Sequence, residues 1–364
     1  VTVLQYTDHR RDPGAWARAL GCSQEACELL LASDFVDLHC DTEVAIRVAG
    51  WDPARHHGVA TRVWPLVGHV DFPRMREAGL TGVVWDLPSN PLRPARDRLR
   101  RTLTKVARAE ARAAAFPDDL AVVRDHAGYV AARAAGKTAL FVSLQGGNAV
   151  SADPSALSGP LRHLHRVTLV HLSHSDLGGT SRPGGADPGL TALGREVVAR
   201  CNEARILVDL SHSSKATFWA ALDAHTRDVS PIVSHTGVDG VRPHWRNLDD
   251  AQIRAIAERG GVVGIMYQSN FLDDVRWTCS RARIVDHLEH VIRVAGEDVP
   301  AIGTDYDGFI VPPHDLLDVT HHPLLVQDML DRGWSHARIR GLLGANYLRV
   351  VQQTRPGPVA AGAA

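Results

Sequence analysis

No run of about 18 apolar residues occurs in this 364-residue chain, so nothing in it reads as a membrane-spanning helix. Its start, VTVLQYTDHRRDPG, carries no apolar stretch of the signal-peptide kind. An excess of charge of one sign is also missing. Forty Lys and Arg against 41 Asp and Glu leave a net charge of -1, so no global field recruits nucleic acid or an anionic membrane. Cysteine is scarce: the five thiols are scattered singly with no C-x-x-C and no even framework of short spacings, which fits reduced thiols better than disulfides. Together these absences predict a soluble, cytoplasmic protein. No Ser- or Gly-rich linker divides the chain, and no internal repeat shows beyond a rhythm of strands and helices.

What is present is an ordinary globular composition, 45% hydrophobic and 22% charged, enough for a large core. Residues 1–33 read as a polar arm and a helix, Ser23 to Ala32, and residues 355–364 as a flexible tail. Between them, over residues 34–354, apolar runs of strand length alternate with amphipathic helices. The strand runs are DFVDLHCDT (34–42), GLTGVVWDL (79–87), TALFVSLQGG (138–147), HRVTLVHLSH (165–174), RILVDLSHS (205–213), PIVSHTG (231–237), GGVVGIMY (260–267) and VPAIGTDYDG (299–308). Helices Asp249 to Arg259 and Ala282 to Ala295 lie among them. Near-continuous apolar strands, each followed by a helix, imply parallel pairing with both faces covered. Eight such units predict an α/β fold, a closed (β/α)8 TIM-type barrel with an N-terminal helical extension; an open doubly wound sheet is the runner-up.

The strand ends carry the chemistry. In DFVDLHCDT the side chains alternate, so His39 and Asp41 point the same way and offer an imidazole nitrogen beside a carboxylate, a donor pair suited to zinc. Later strands end in Gln145, His171, His212, His235 and the pair Asp305 and Asp307. On a barrel these converge on one mouth. His163, His165, His174, His321 and His322 have no such placement and read as loop or surface residues. The long loop from Val48 to Asp71 reads as part of the site rim, while Phe271 and Trp277 read first as plain packing, with an apolar lid wall as the alternative.

Several blocks, in order, resemble the renal (membrane) dipeptidase family of the amidohydrolase superfamily. They are DLHCDT, VDFPRMREAGLTGVVW, LQGGN, TLVH, GLTALGREVVARCNEARILVDLSHSSKATFWAAL, PIVSHTG, RNLDDAQIRAIAERGGVVGI, AIGTDYDGF and GANYLRVV, spanning residues 34–352. The resemblance implies a zinc-dependent hydrolase of dipeptides or small amides. His39 and Asp41 would hold one zinc and His212 and His235 a second; Asp305 would act on the leaving amine and His171 on the oxyanion. Arg246 would bind the substrate carboxylate. One departure stands out: the family's EGGH reads QGGN here, with Gln145 where a bridging glutamate belongs and Asn148, a candidate substrate contact, where the histidine belongs. A neutral amide cannot bring negative charge between two dications, so one zinc ion per chain is expected rather than two. Two alternatives stay open: a specialised-metabolite enzyme reusing the pocket for another metal-assisted reaction, and a metal-poor binding protein. A homodimer is also open, since barrels of this class are often dimers, though no seam marks one.

Overall fold

Val36–Cys40 forms the first strand, β1, and all five of its residues are buried. In the computed structural model, which describes residues 3–59, 65–275 and 277–357, eight further strands follow. They are β2 (Gly82–Pro88), β3 (Leu120–Val123), β4 (Thr138–Gln145), β5 (Arg166–Thr168), β6 (Leu207–Asp209), β7 (Val233–Thr236), β8 (Val263–Ile265) and β9 (Pro300–Ile302). The ladders β1–β2, β3–β4–β5–β6 and β7–β8–β9 are parallel. Each expected strand run contains one of these strands, and β3 adds a ninth that the apolar pattern does not announce. The helix Gln24–Ala32 starts where Ser23 accepts the Ala26 N–H, and the helix Asp250–Glu258 starts on a full capping box of Asp249 and Gln252.

The expected closed eight-stranded barrel is not what the backbone builds. The ladders make an open sheet in the order β1-β2-β4-β5-β6, with β3 beside β4, and a separate three-stranded sheet β7-β8-β9. The chain also divides into two compact units, one of residues up to Pro88 with Val233–Tyr347, the other of Ser89–Ile232 with the residues from Leu348 on. In the first unit the reason for the break is local. The Asp37 side chain accepts the backbone N–H groups of His39 (3.1 Å) and Thr304 (2.9 Å). Beyond β9, Asp305, Asp307 and Phe309 are all left-handed, at φ 59°, 68° and 61°. Beside these side-chain and left-handed features, β1 meets the segment after β9 through a short Cys40–Tyr306 bridge, in which the Asp305 N–H donates to the His39 carbonyl (3.1 Å) and the Asp41 N–H to the Tyr306 carbonyl (2.9 Å). In the second unit β6 reaches Ile232 by a similar lone bridge from Asp209.

Two glycines have a structural reason of their own. A Cβ at Gly264 or Gly303 would run into the carbonyl oxygen of Ser234, so β8 and the end of β9 pack on the backbone just before His235 only because both are glycine. In the second unit the carbonyls of Arg355 and Pro356 accept the N–H groups of His126 and Ala127. The rest of the expected flexible tail, residues 358–364, lies outside the described residues, as do residues 60–64 of the expected rim loop.

His322, expected in a loop or at the surface, is buried, and so is His165. His322 Nδ1 bonds the Val319 carbonyl (2.7 Å) and its Nε2 meets the Tyr267 hydroxyl (3.1 Å). His287 accepts the Val238 N–H at Nδ1 (2.9 Å) and faces the Leu272 carbonyl through Nε2 (3.1 Å). Burial lowers both imidazoles from 6.5 to about 4, so both are neutral in the fold at neutral pH. Between pH 6.5 and 4 the unfolded chain therefore binds two protons that the native state refuses, and stability falls as the pH falls through that window. Each imidazole contributes roughly 3 kcal/mol to the loss by pH 4. The expected result is a urea midpoint that drops between pH 7 and 4.5, with His322→Gln showing a smaller drop; equal pH slopes for the two proteins would refute it.

Candidate metal centre

The site grows from β1. His39 is fully buried, and its Nδ1 lies 3.0 Å from Asp86 Oδ2 at the end of β2, which turns Nε2 toward the strand ends. There Nε2 lies 3.7 Å from Asp41 and 3.5 Å from Asp305. The His235 ring from β7 packs on that of His39 with centroids 3.8 Å apart, and the Ser234 hydroxyl meets its Nδ1 at 2.8 Å. Asp305 reaches the group because its left-handed backbone, at φ 59°, turns the chain after β9, while its N–H donates to the His39 carbonyl. One donor atom each from His39, His235 and Asp305 falls within a 4.8 Å circle.

The electrostatics of this cluster ask for a cation. Burial alone would lower the His39 imidazole, yet the Asp86 and Asp41 carboxylates beside it outweigh burial and raise it to about 10. Burial pushes the Asp305 carboxyl up to about 8, against the pull of His39. Without a dication the imidazolium is the positive charge that offsets the Asp86 and Asp41 carboxylates, while the Asp305 carboxyl keeps its proton at neutral pH. A bound dication would take over that part, displacing protons as it does so. Two imidazoles and a carboxylate, all buried, are a donor set that fits zinc.

Asp86 is the member that the sequence reading passed over. It lies just before the last residue of the apolar run GVVWDL, a position that reads as strand, and only the fold puts it behind His39. A carboxylate on the far nitrogen of a ligating histidine fixes its tautomer and raises its basicity. Asp86→Asn keeps the shape but removes the charge, and zinc affinity should fall about 10- to 100-fold, read by competition with a chromophoric chelator. Unchanged affinity would mean that Asp86 serves packing alone.

Of the residues singled out in the sequence, His39, Asp41, His235, Asp305 and Arg246 belong to the first unit. The resemblance divides His39 and His235 between two ions, whereas here both fall in one donor group. Arg246 is buried; its Nη2 donates to the His235 carbonyl (2.9 Å), and its charge helps to lower Asp305. Asp307 accepts the N–H groups of Gly68 (2.7 Å) and His69 (2.8 Å) and the Thr42 hydroxyl (2.6 Å), so it braces the loop after β9 rather than offering itself as a ligand.

The second unit holds Gln145, Asn148, His171 and His212. Gln145 is the last residue of β4 and is 1% exposed. The turn after it is tight: Gly146 sits at φ 94°, and a Cβ at Gly147 would meet the Leu169 carbonyl at 3.0 Å. Asn148 is buried, and its carbonyl accepts Arg98 Nε (2.8 Å). His171 and His212 stand edge to face with ring centroids 4.7 Å apart, His212 at φ 64°. Asp209, holding the N–H and hydroxyl of Ser211 (3.0 and 2.7 Å), sets the end of β6 that leads to His212.

Buried imidazoles and carboxylates at the C-terminal ends of parallel strands define a metal-dependent enzyme of the α/β class. The chain belongs to the membrane dipeptidase family, peptidase family M19, whose family model matches residues 23–357. A solved dipeptidase described as "dipeptidase AC" shares 26% identity over 89% of this chain and 99% of its own, at a TM-score of 0.79. A metallopeptidase from Rhodobacter sphaeroides, solved with a phosphinate mimic of the dipeptide L-Ala-D-Ala, shares 25% over 88% of this chain and 99% of its own, at 0.76. The probable dipeptidase PvdM from Pseudomonas aeruginosa covers 93% of this chain and 99% of its own at a TM-score of 0.80, but at 16% identity it speaks for the fold alone. This protein is a metal-dependent, dipeptidase-like hydrolase. Among the described residues no helix is long and apolar enough to cross a membrane.

Proposed function

We propose that the protein hydrolyses the peptide bond of a dipeptide with one zinc ion per chain. The buried cluster of His39, His235 and Asp305 carries the reading, with Asp41 beside it. Zinc, when bound, supplies Lewis acidity and brings a water near neutrality in pKa. The chain's own residues do the rest. Asp305, whose carboxylate stands 3.5 Å from His39 Nε2 in the cluster, would take the proton of the attacking water and return it to the departing nitrogen. His171 donates to the oxyanion, and Arg246 takes the substrate carboxylate, with the Asn148 amide as a further substrate contact. By the family's pattern His212 would pair with His235 and Gln145 would take the bridging glutamate's place, where an amide brings no charge to hold a second cation. The five free thiols support a reducing, cytoplasmic setting.

The replaced residues Gln145 and Asn148 favour a second reading, in which the same pocket runs another metal-assisted reaction on a specialised metabolite. Metal analysis and a dipeptide panel separate the two. Protein loaded with excess zinc and desalted should hold close to one ion per chain and cleave members of a panel of L,L and L,D dipeptides. Two tightly held ions would refute the stoichiometry, and a zinc-loaded protein that cleaves none of the panel would leave the second reading in front.

A further inference from the structure

The loops after β7, β8 and β9 each present an aromatic ring at the strand ends that carry His235 and Asp305. Trp245, in the loop after β7, is 46% exposed; Phe309, after β9, is 50% exposed; and Phe271 follows β8 half-buried. Rings left this open to water in a chain with only 20 Phe, Trp and Tyr call for an explanation. Two of these rings, Trp245 and Phe271, form a wall with the imidazole of His244. His244 lies 5.0 Å from Trp245 and 4.5 Å from Phe271, and Trp245 meets Phe271 at 5.9 Å with planes at 67°. Asn247 pins the two loops together, donating to the Phe271 carbonyl (2.8 Å) while it accepts the Gly237 N–H (3.1 Å).

The wall and Arg246 form one piece. His244 Nδ1 accepts the Arg246 N–H (3.2 Å), and the Arg246 guanidinium holds the carbonyl of His235 (2.9 Å). Burial, then Arg242 and Arg246, lower His244, so the imidazole adds no charge of its own to the wall at neutral pH. We propose that His244, Trp245 and Phe271 form a subsite for a flat or bulky apolar side chain on the substrate residue whose carboxylate Arg246 takes, so that the substrate class is a dipeptide with an aromatic or large aliphatic C-terminal residue. This rests on the reading of Arg246 given above. The occupant follows from the chemistry: a buried cation for a carboxylate stands beside a rigid, uncharged aromatic face, which is how a site sorts apolar side chains.

The test uses zinc-loaded wild type, Trp245→Ala and Phe271→Ala with Ala-Ala, Ala-Phe and Phe-Ala, the C-terminal residue in both L and D forms. The expected result is a kcat/KM for Ala-Phe about tenfold or more above that for Ala-Ala. Each variant should lose about tenfold more on Ala-Phe than on Ala-Ala, chiefly in KM, with zinc content as in wild type. A preference for Phe-Ala, or equal losses on all substrates, would overturn the subsite. If no dipeptide is cleaved, the dipeptidase reading fails while the subsite is still decided by calorimetric binding of phenylalanine against alanine. Tighter phenylalanine binding that Trp245→Ala abolishes supports it; binding that does not discriminate overturns it.

Discussion

His39→Ala protein, purified, incubated with zinc and desalted, holds almost no metal and loses on the order of a thousandfold or more in dipeptide hydrolysis. His39 is the centre of the cluster: its ring packs tilted against that of His235 with centroids 3.8 Å apart, and its Nε2 lies within 3.7 Å of both Asp41 and Asp305. Removing it takes away one donor and also leaves Asp86 and Asp41 buried without the imidazole that separates their charges, which weakens the remaining ligands as well as the fold. Because the variant can suffer in folding, His235→Asn provides a second case in which the neighbouring carboxylates keep their histidine; it should lose metal too, with a circular-dichroism spectrum like that of wild type. His163→Ala is the control, since His163 lies in the second unit beside Glu110 at 3.4 Å. Zinc content in His39→Ala equal to that of the control would sink the assignment.

The pattern of residues reaches different depths at different points of this fold. The apolar runs locate the strands because near-continuous burial leaves its mark on every residue, as in β1, β2 and β4. His39 is legible for the same reason, since a His-x-Asp pair closing such a run has no reason in packing. Sheet closure is not legible. It turns on Asp37 capturing the Thr304 N–H across 267 residues and on left-handed residues after β9, and neither has a local signature. An Asp in a strand reads the same whether it supports a ladder or replaces one. Asp86 was missed because its function exists only through the ring nitrogen it faces, and the β3 strand because two of its four residues are only half-buried and dilute the apolar run. His322 and His165 were misplaced since a buried neutral histidine needs its partners supplied by distant segments, here Tyr267 in the case of His322.

Gln145→Glu, alone or with Asn148→His, is expected to raise zinc content from about one ion toward two and to raise dipeptide hydrolysis by roughly a hundredfold. The substitution exchanges an amide for a carboxylate of nearly the same shape. The backbone has little freedom to respond, because Gly146 at φ 94° and Gly147 against the Leu169 carbonyl already fix the turn. What changes is charge at a side chain that is 1% exposed. Without metal a carboxylate so deeply buried is costly, so the metal-free variant should be less stable than wild type, and added zinc should restore it more than it stabilises wild type. That stability readout does not depend on any substrate. With metal, the restored charge lets two cations share one neighbourhood and lets them position the attacking water between them, which improves orientation as well as acidity. Zinc stoichiometry, thermal midpoints with and without zinc, and turnover of the dipeptide panel decide the matter together. A variant that binds no more zinc than wild type would refute a metal-bridging role for position 145. One that binds two ions yet cleaves no dipeptide shows that the pocket itself has turned to a different substrate, since the charge, the metal and the fold would then all be in place and only the fit to a dipeptide would be missing.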